Sequence, residues 1–527
     1  MDQSAASGGS IPRKATRREW VGLGVIALPC LLYSMDLTVL NLAVPAITAD
    51  LNPSATQLLW IVDIYGFMIA GMLITMGTLG DRIGRRKLLM IGAFAFGLAS
   101  ILAAFSTSAE MLIVARAILG LSAATLAPST LSLISNMFPD PKERTFAIGV
   151  WISSFSAGGA IGPVIGGILL TWFWWGSVFL IAVPVMVVLL IVAPILLPEY
   201  KDENAGRIDL TSAVLSLAAV LALIYGIKHA ASQAFDARAV LAMLAGLAIG
   251  VVFVRRQSRL AEPLIDLRLF SSITFSASLG INVLGFFAAF GIFLLTAQYL
   301  QLVLGLSPLE AGLWSAPSSI GFIVGSLLAP KLLGSMRPAY VMAGGYAVTA
   351  ISFLIMAQAA SMASLHLLIS AYILMSFGLA PIFTLSTDLI IGSAPPERAG
   401  GAAGLAETSS EFGGALGIAV LGSIVTALYA SGMALFDGGS GFSDEAMTIA
   451  RETIGGAVAE AERAGGTAGE LLLAGARESY ANAFQVVTLV CAVVSLLAGL
   501  VALLVLGRIK PNAGQECDDK ECVVEAA

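Results

Sequence analysis

Charged and metal-binding side chains are scarce in this chain of 527 residues. Only 12% of the residues are charged, against about 25% in an ordinary soluble protein. The chain has two histidines and four cysteines, which form neither a disulfide framework nor a zinc-binding pattern. These shortages argue against a soluble globular protein. They also leave a membrane-embedded enzyme or sensor without a nucleophile–base set or metal ligands, so we expect no catalytic residue, no metal and no cofactor.

Apolar residues make up 58% of the chain and recur in windows of about twenty residues, each long enough to cross a hydrocarbon core of roughly 30 Å. The sequence therefore predicts an all-α integral membrane protein. We expect fourteen transmembrane spans, at 21–45, 57–79, 88–106, 111–134, 146–169, 173–197, 208–229, 238–255, 273–300, 311–332, 339–360, 364–391, 402–430 and 483–507.

The basic residues predict the orientation of the chain. When the loops are assigned to alternate sides, most of the 28 Lys and Arg residues fall on the side that carries both termini. Because cytoplasmic loops are enriched in Lys and Arg, both termini are expected in the cytoplasm. The residues assigned to the opposite side are Lys228, Arg238, Arg451, Arg463 and Arg477.

Changes in composition divide the chain into predicted units. These are a cytoplasmic tail at 1–19, an N-terminal six-helix half at 20–200, a two-helix insert at 201–260, a C-terminal six-helix half at 261–507 and a cytoplasmic tail at 508–527. Segment 431–481 is rich in Gly, Ala and Glu and predicts one or two short surface helices outside the membrane. We interpret it as a solvated connector, with a lid or docking site as the alternative. The expected assembly is a monomer in the lipid bilayer, without nucleic acid.

The most specific pattern is the charged turn Gly77-Thr-Leu-Gly-Asp81-Arg82-Ile-Gly84-Arg85-Arg86-Lys87, between the second and third spans. Several residue types occur together in this short stretch, so a chance occurrence of the whole pattern is improbable. In the second half, Gly325, Pro330 and Arg337 occupy the corresponding place without an Asp-Arg core. If the chain is a transporter built from repeats, the residues that perform coupling are therefore expected mainly in the first half.

Ionisable side chains inside the predicted spans are a second signal. Each such charge costs roughly 2.5–3.5 kcal/mol on insertion scales, so each is a hypothesis of function. A transporter interior with a water-filled cavity accounts for them better than packing does. They are Asp36, Asp63, Arg116, Glu407 and Glu411, with Asp388 near the cytoplasmic end of the twelfth span.

Asp36 and Arg116 lie in the first and fourth spans. Asp36 could take up a proton from outside and release it inside, or could form a structural hydrogen bond, for example with Thr38. Arg116 cannot lose its proton and needs a partner, for which Asp36 is the candidate. A structural ion pair and a role in proton transfer both remain open for Arg116.

Asp63 follows Trp60 by three residues in Trp60-Ile-Val-Asp63-Ile-Tyr65, so the two side chains share one helical face. A carboxylate beside an aromatic ring suits a lipophilic cation, because cation–π attraction adds about 0.5–2 kcal/mol to charge pairing. The alternative is an interfacial Trp with an unrelated acid.

Glu407 and Glu411 are four residues apart and stack on one face of the thirteenth span. Two carboxylates this close cannot both ionise cheaply, so they could share one proton or hold one cation. Alternatively, Glu407 caps the helix that begins after Gly400 and Gly401.

Gly158-Gly-Ala-Ile-Gly162-Pro163-Val-Ile-Gly166-Gly167 is a small-residue stripe in the fifth span. Glycines at four-residue spacing allow close helix approach, and Pro163 bends the helix. We expect this stripe to form a flexible contact between the halves.

Together these motifs resemble the fourteen-helix drug:proton antiporters of the major facilitator superfamily. Gly77 to Lys87 is similar to the superfamily's loop signature, Arg116 with Gly120 to its fourth-helix signature, and Gly158 to Gly167 to its antiporter motif. Trp60 to Tyr65 is similar to the corresponding stretch of the QacA-like multidrug efflux pumps.

The resemblance implies proton-coupled export of lipophilic organic cations, such as quaternary ammonium compounds, dyes and cationic drugs, across a bacterial plasma membrane. It implies proton coupling at Asp36, Arg116, Glu407 and Glu411, and substrate binding at Asp63, Trp60, Tyr65 and Glu411. It implies conformational gating by Gly77, Asp81, Arg82, Gly84, Arg85, Arg86 and Asp388. A dedicated proton-driven exporter of one antibiotic or metabolite is the alternative. An acid expected in the tenth helix is absent from 313–328, so recognition of divalent cations is not implied.

Overall fold

The structure is a computed structural model that describes residues 14–51, 53, 55–201, 209–232, 237–260, 263–395, 398–436 and 442–507. The side chains of some helical residues, Asp63 and Pro163 among them, lie outside this description. Both predicted terminal tails fall largely outside it as well.

Helices account for almost all of the described chain. They are α1 (Arg17–Leu51), α2 (Ala55–Ile83), α3 (Arg85–Ala104), α4 (Ala109–Met137), α5 (Pro141–Trp172), α6 (Ser177–Leu180), α7 (Ala182–Leu196), α8 (Leu210–Ser232), α9 (Ala237–Gln257), α10 (Ile273–Gln298), α11 (Pro308–Ser315), α12 (Pro317–Leu333), α13 (Pro338–Ser361), α14 (Leu365–Gly392), α15 (Ala399–Ala434), α16 (Asp444–Glu452), α17 (Ile454–Ala464) and α18 (Gly466–Leu506). A 3₁₀ turn, Leu267–Ser271, precedes α10, and a π turn, Tyr299–Val303, follows it.

The membrane fold predicted from the sequence is confirmed. Within the described ranges, thirteen helical segments are long and apolar enough to span a bilayer, and the shorter apolar stretch Thr211–Ile227 lies at the seventh predicted span. The exact count of fourteen stays a prediction. Large apolar side chains face outward along these helices, as lipid contact requires. Examples are Phe94, Ile168, Ile191, Leu241, Ile320 and Val493.

Local sequence signals set where the helices begin. The Ser108 hydroxyl accepts a hydrogen bond from the Met111 amide at the start of α4. The Asp140 carboxylate does the same for α5, whose first residue is Pro141. Between α2 and α3, Gly84 adopts φ = 112°, which a residue with a side chain rarely does. This glycine lets the chain turn directly from one span into the next.

The two halves use the same helix pairings. In the first half, α1 packs on α5, α2 on α4, and α3 on both α4 and α7. In the second half, α10 packs on α15, α12 on α14, and α13 on both α14 and α18. The halves meet along two seams, α2 with α15 and α5 with α12. This arrangement of repeats is typical of secondary transporters.

A short sequence repeat underlies this pairing and was missed in the sequence-based comparison of the halves. Gly-Gly-Ala-Ile-Gly at 158–162 recurs as Gly-Gly-Ala-Leu-Gly at 413–417. A Cβ on Gly158 would overlap the backbone of Leu31 in α1, and a Cβ on Gly413 would lie 2.5 Å from the Val283 carbonyl oxygen in α10.

The glycine stripe of α5 therefore does not form a contact between the halves, contrary to our expectation. A Cβ on Gly162 would overlap Thr38, and one on Gly166 would lie 2.9 Å from Val39. Both neighbours belong to α1. The stripe closes the α1–α5 pair inside the first half because only glycine allows the two backbones to approach this closely.

The predicted two-helix insert is the pair α8 and α9. Helix α8 packs on both α2 and α15, so it covers one of the two seams between the halves. The Arg256 side chain on α9 donates to the Asp209 carboxylate, which also caps the start of α8 through the Thr211 amide.

The segment between α15 and α18 is helical, as predicted, but it is not a solvated connector. Helices α16 and α17 bury apolar residues in the core of the second half, where α17 packs on the long α18 and α16 packs on α17 and α15. The Tyr429 hydroxyl donates to the Ala450 carbonyl and joins α15 to α16. The segment is thus a packed helical cap on the second half. Its buried apolar residues are Met447, Ala450, Ile454, Ala457 and Ala461.

Candidate functional site

The end of the bundle that carries the α2–α3 turn is called the motif end here, and the end that carries α16 and α17 is called the far end. At the motif end, the Asp81 carboxylate accepts hydrogen bonds from the amides of Gly400 and Gly401, both 3.0 Å long. These amides open α15, so a negative charge lies at a helix N-terminus, where the helix dipole stabilises it. Gly77 allows the contact, because a Cβ there would overlap the Gly400 carbonyl oxygen.

Asp81 also holds Arg85, whose Nε donates to Oδ1 at 2.9 Å. Arg85 is fully buried, and its guanidinium lies 4.9 Å from the centre of the Tyr200 ring. The next residue, Arg86, donates to the Leu197 carbonyl at 2.9 Å at the end of α7. The charged turn therefore ties α2 to α15 and α3 to α7.

Glu199 caps the helix that follows the turn. Its carboxylate accepts from the amides of Arg86 and Lys87 at the start of α3, each at 3.1 Å. A side chain at Gly84 would collide with this carboxylate. The glycine of the motif is thus required both for its backbone conformation and for this cap.

A second bridge between the halves lies nearby. The Asp388 carboxylate on α14 accepts from Arg144 Nε and from Thr145 Oγ1 on α5, both at 2.6 Å. The Ser326 hydroxyl on α12 donates to the Gly149 carbonyl on α5 at 3.0 Å. These contacts close the α5 seam at the same end as the Asp81 contacts close the α2 seam.

Deeper in the first half, Asp36 and Arg116 form an ion pair of 2.5 Å. Arg116 is fully buried, and its Nε donates to the Ile61 carbonyl at 3.1 Å. Its guanidinium lies 4.6 Å from the centre of the Tyr65 ring. The partner expected for Arg116 from the sequence is therefore in place.

The three residues expected to bind substrate on α2 have different surroundings. Tyr65 is fully buried beneath Arg116, and its hydroxyl has no hydrogen-bond partner among the described residues. Trp60 is 41% exposed and packs edge-on against Phe67, with ring centres 6.2 Å apart. Asp63 lies between them on the α2 backbone, but its side chain is outside the described part of the structure. In this conformation Tyr65 supports Arg116, whereas Trp60 is partly exposed.

The acids of the second half lie inside α15. Glu411 accepts a hydrogen bond of 2.9 Å from the Tyr33 hydroxyl on α1. Glu407 lies one turn closer to the motif end and is half-buried. The alternative of Glu407 as a helix cap is wrong, since α15 begins at Ala399 and Asp81 binds its first amides.

The Tyr33–Glu411 bond marks the limit of the polar contacts between the halves. Tyr33 is roughly 24 Å along α1 from Arg17, and Glu411 is roughly 18 Å along α15 from Ala399, at 1.5 Å per residue. The other hydrogen bonds seen between helices of the two halves among the described residues lie nearer the motif end, at Asp81, Asp388 and Ser326. The bundle is therefore closed at the motif end.

The second-half counterpart of the charged turn has kept one function. Arg337 Nη1 donates to the Gly507 carbonyl at 2.7 Å, just after α18. Arg86 makes the equivalent contact at the end of α7 in the first half. The second half retains the arginine that binds the end of its last helix but has no counterpart of Asp81.

Sequence reasoning did not single out Tyr33, Arg144 or Glu199 as functional residues. Tyr33 precedes Asp36 by three residues and shares its helical face, which was a usable signal. The partners of Arg144 and Glu199 are distant in the chain, so nothing in the sequence paired them.

Comparisons with known proteins agree with this architecture. The family model of the Major Facilitator Superfamily matches residues 26–418. The multidrug efflux pump LfrA of Mycolicibacterium smegmatis is 41% identical over 484 residues, which cover 92% of this chain and 95% of that protein. The methyl viologen resistance protein SmvA of Salmonella typhimurium is 35% identical over 464 residues, covering 88% and 93%.

A solved structure supports the fold alone. The human organic anion transporter MFSD10 (TETRAN) matches 92% of this chain and 99% of its own, with a TM-score of 0.60 and 15% identity.

The chain belongs to the Major Facilitator Superfamily. It is a multi-pass membrane transporter of the drug-efflux type, in a family of transporters rather than enzymes. Its relatives place it in the inner membrane of a bacterium and imply small organic substrates.

Proposed function

We propose that this chain exports lipophilic organic cations in exchange for protons, with both termini in the cytoplasm. The observation that carries the proposal is the cluster of ionisable groups between the closed motif end and the far end. Asp36 pairs with Arg116 on one side, and Glu407 and Glu411 lie on the other side, with Tyr33 bound to Glu411. Acids at this depth are expensive unless they bind ions.

In the proposed orientation the motif end faces the cytoplasm. The observed conformation is then outward-facing, since Asp81 and Asp388 hold the halves together on the cytoplasmic side. Protons from outside can neutralise the acids on α15 and displace a bound cation. Rocking of the halves about the central site then requires the Asp81 and Asp388 contacts to break.

Cation recognition is assigned to Trp60, Asp63 and Glu411. Trp60 offers an exposed aromatic face, and the two acids supply the negative charge. Similarity to a methyl viologen resistance protein supports export of organic cations in general, but not the roles given to these residues. Moving one net charge across the membrane yields about 2.3 kcal/mol per 100 mV, so exchange of extra protons strengthens export.

Energised efflux of a fluorescent lipophilic cation tests the proposal. Cells expressing the wild type are compared with cells expressing Asp63→Asn or Asp36→Asn, each with and without an uncoupler. We expect uncoupler-sensitive efflux in the wild type and its loss in both variants. Equal dye retention in expressing and empty cells, with the protein present in the membrane, would overturn cation export.

A dedicated exporter of one antibiotic or metabolite is the second candidate. The absence of an acid at 313–328 favours it, because fewer acids bind fewer kinds of cation. In that case Asp63→Asn leaves organic-cation efflux unchanged, whereas Asp36→Asn still abolishes transport of the true substrate.

A further inference from the structure

We infer that Tyr33 is a positioning residue that makes the contact between the two halves depend on the protonation of Glu411. The inference rests on the proposed proton coupling, but it does not depend on which substrate is carried.

The geometry puts Tyr33 at the right place for this role. Its hydroxyl crosses from α1 in the first half to the Glu411 carboxylate on α15 in the second half, at 2.9 Å. The ring is fixed by two aromatic neighbours of the first half. Phe155 meets it edge-on with ring centres 5.4 Å apart, and the Tyr65 ring lies 6.2 Å away.

The chemistry of this bond differs from that of the motif-end bridges. At Asp81 and Asp388 the donors include a guanidinium, which keeps its proton at every accessible pH. The donor to Glu411 is a neutral phenol. A hydrogen bond to an ionised carboxylate is about twice as strong as one between neutral groups. The Tyr33 bond therefore weakens when Glu411 takes up a proton, whereas Arg85 and Arg144 keep their charge.

This difference gives a direction to the coupling. While Glu411 is ionised, the Tyr33 bond adds to the contacts that hold the motif end closed. When Glu411 is protonated, the bond contributes less and opening of the motif end becomes easier. A proton exchanger needs this order, because the empty and unprotonated carrier must not switch between its outward-facing and inward-facing conformations.

Tyr33 also adjoins the other charged pair of the site. The Tyr65 ring lies beside Tyr33 and beneath the Arg116 guanidinium. Movement of Tyr33 would therefore displace the Tyr65 ring, which supports Arg116. Arg116 in turn pairs with Asp36. The two tyrosines form the physical connection between the acid of the second half and the ion pair of the first.

Other titratable or charged groups on α15 and on the helices packed against it must be separated from this effect. Glu407 lies on α15 itself, Asp36 on α1, Arg116 on α4 and Asp63 on α2. Helix α10 carries no ionisable residue, and Tyr299 follows it in the π turn. Tyr65 on α2 and Cys30 on α1 lie in the same part of the first half. Further groups on these helices lie towards the two ends of the bundle, among them Asp81, Asp388 and Arg398 at the motif end, and His229, His366, Tyr372, Tyr429, Arg451, Arg477, Glu478 and Tyr480 towards the far end.

Distance measurements between spin labels test the inference without a substrate. Labels are placed at the far end, at Thr107 in the first half and at the 64% exposed Met362 in the second, in a background without other cysteines. The ratio of far-end-open to far-end-closed molecules is then measured from pH 5 to pH 9, in nanodiscs. The variants are Tyr33→Phe, Glu411→Gln and the double variant.

The matched control is Tyr346→Phe. Tyr346 is also buried and donates a 2.7 Å hydrogen bond to the Ile281 carbonyl, but both residues belong to the second half. The control therefore removes a buried tyrosine hydroxyl without touching the contact between the halves.

We expect the wild-type ratio of far-end-open to far-end-closed molecules to change with pH. The part of this change that depends on Glu411 should be about tenfold, which is the effect of one unit of proton linkage between the two conformations. Tyr33→Phe should reduce the response to that of Glu411→Gln, and the double variant should match Glu411→Gln. Tyr346→Phe should retain the wild-type response.

Three results would overturn the inference. They are a wild-type response in Tyr33→Phe, a further change in the double variant beyond Glu411→Gln, or a wild-type ratio that does not depend on pH. If Tyr33→Phe does not fold, Glu411→Gln alone decides, because a full pH response in that variant contradicts the role given to Glu411. Failed dye export with a normal pH response would count against the proposed substrate and not against Tyr33.

Discussion

The two halves share one arrangement of helices but carry different chemistry. The glycine repeat aligns Glu411, two residues before Gly413, with Ser156, two residues before Gly158. An uncharged serine in the first half thus corresponds to an acid in the second. The first half instead fixes its buried charges in the Asp36–Arg116 pair.

The two halves also differ in the contacts that join their first and fourth helices. In the first half, Cys30 Sγ lies 3.8 Å from Thr130 Oγ1, a weak contact between α1 and α4. In the second half, Asn282 on α10 donates to Ser409 and Ser410 on α15 and accepts from Ser386 on α14. The second half is held around its acids by neutral hydrogen bonds. This environment suits acids that gain and lose protons, because the neutral side chains around them do not change charge.

The largest effect is expected from breaking the charge pair of the first half. Arg116→Gln leaves Asp36 without its guanidinium, and removing one partner of a buried pair costs about 3–5 kcal/mol. We expect loss of transport and a large fall in thermal stability in detergent. Adding Asp36→Asn should recover part of the stability but none of the transport. Equal stability of the single and double variants would contradict a buried ion pair.

Next in size is loss of the motif-end contacts. Asp81→Asn removes the negative charge at the N-terminus of α15, and a hydrogen bond to a charged group contributes about 1.5–3 kcal/mol. The motif end should open more often, by roughly ten- to hundredfold in population. Spin labels at Lys87 and Met336 can measure this. Glu310→Gln, in the capping box of α11 at the far end, serves as the control and should leave the distances unchanged.

The neutral network of the second half should matter less. Asn282→Leu leaves buried Ser386 and Ser409 short of a partner, at a cost of about 1–3 kcal/mol. Cys30→Ala, at the related contact of the first half, should cost less because the lost contact is weak. Thermal unfolding of both variants checks the order. A greater loss for Cys30→Ala would contradict the contrast between the halves.

The smallest effect is expected at the insert. The Arg256 hydrogen bond holds the pKa of Asp209 well below its usual range. A lowered folded-state pKa contributes stability above the unfolded pKa of about 3.9, and this is lost as pH falls through the folded value. The pair is partly exposed, so solvent screening keeps its contribution to stability small. Asp209→Asn should therefore lower stability slightly at pH 7 and converge with the wild type in strong acid.

The sequence predicted the features that depend on local pattern. Apolar windows gave the spans, and the charged turn gave the gate residues, because Asp81, Gly84 and Arg85 lie within five positions of one another. The Asp36–Arg116 pair could be inferred because a buried arginine requires a partner and few acids were available. What could not be inferred were contacts set by helix packing across the bundle, such as Arg144 with Asp388 and Tyr33 with Glu411.

Two errors had a common physical cause. The α5 glycines predicted a close helix contact, but not which helix would supply it, and α1 does. Segment 431–481 is polar enough to be read as solvated. Its spacing of Met447, Ala450, Ile454, Ala457 and Ala461 nevertheless places an apolar face in the core of the second half. In both cases composition indicated the kind of element, whereas the tertiary partner decided its role.

The central claim is that protons drive cation export through the acids of the second half. Its most direct test is uptake of a fluorescent lipophilic cation into proteoliposomes that have an acidic lumen and no membrane potential. We predict accumulation of the cation that collapses with the pH gradient and is lost in Glu411→Gln. Accumulation that persists without the gradient, or that is undiminished in Glu411→Gln, would contradict the account.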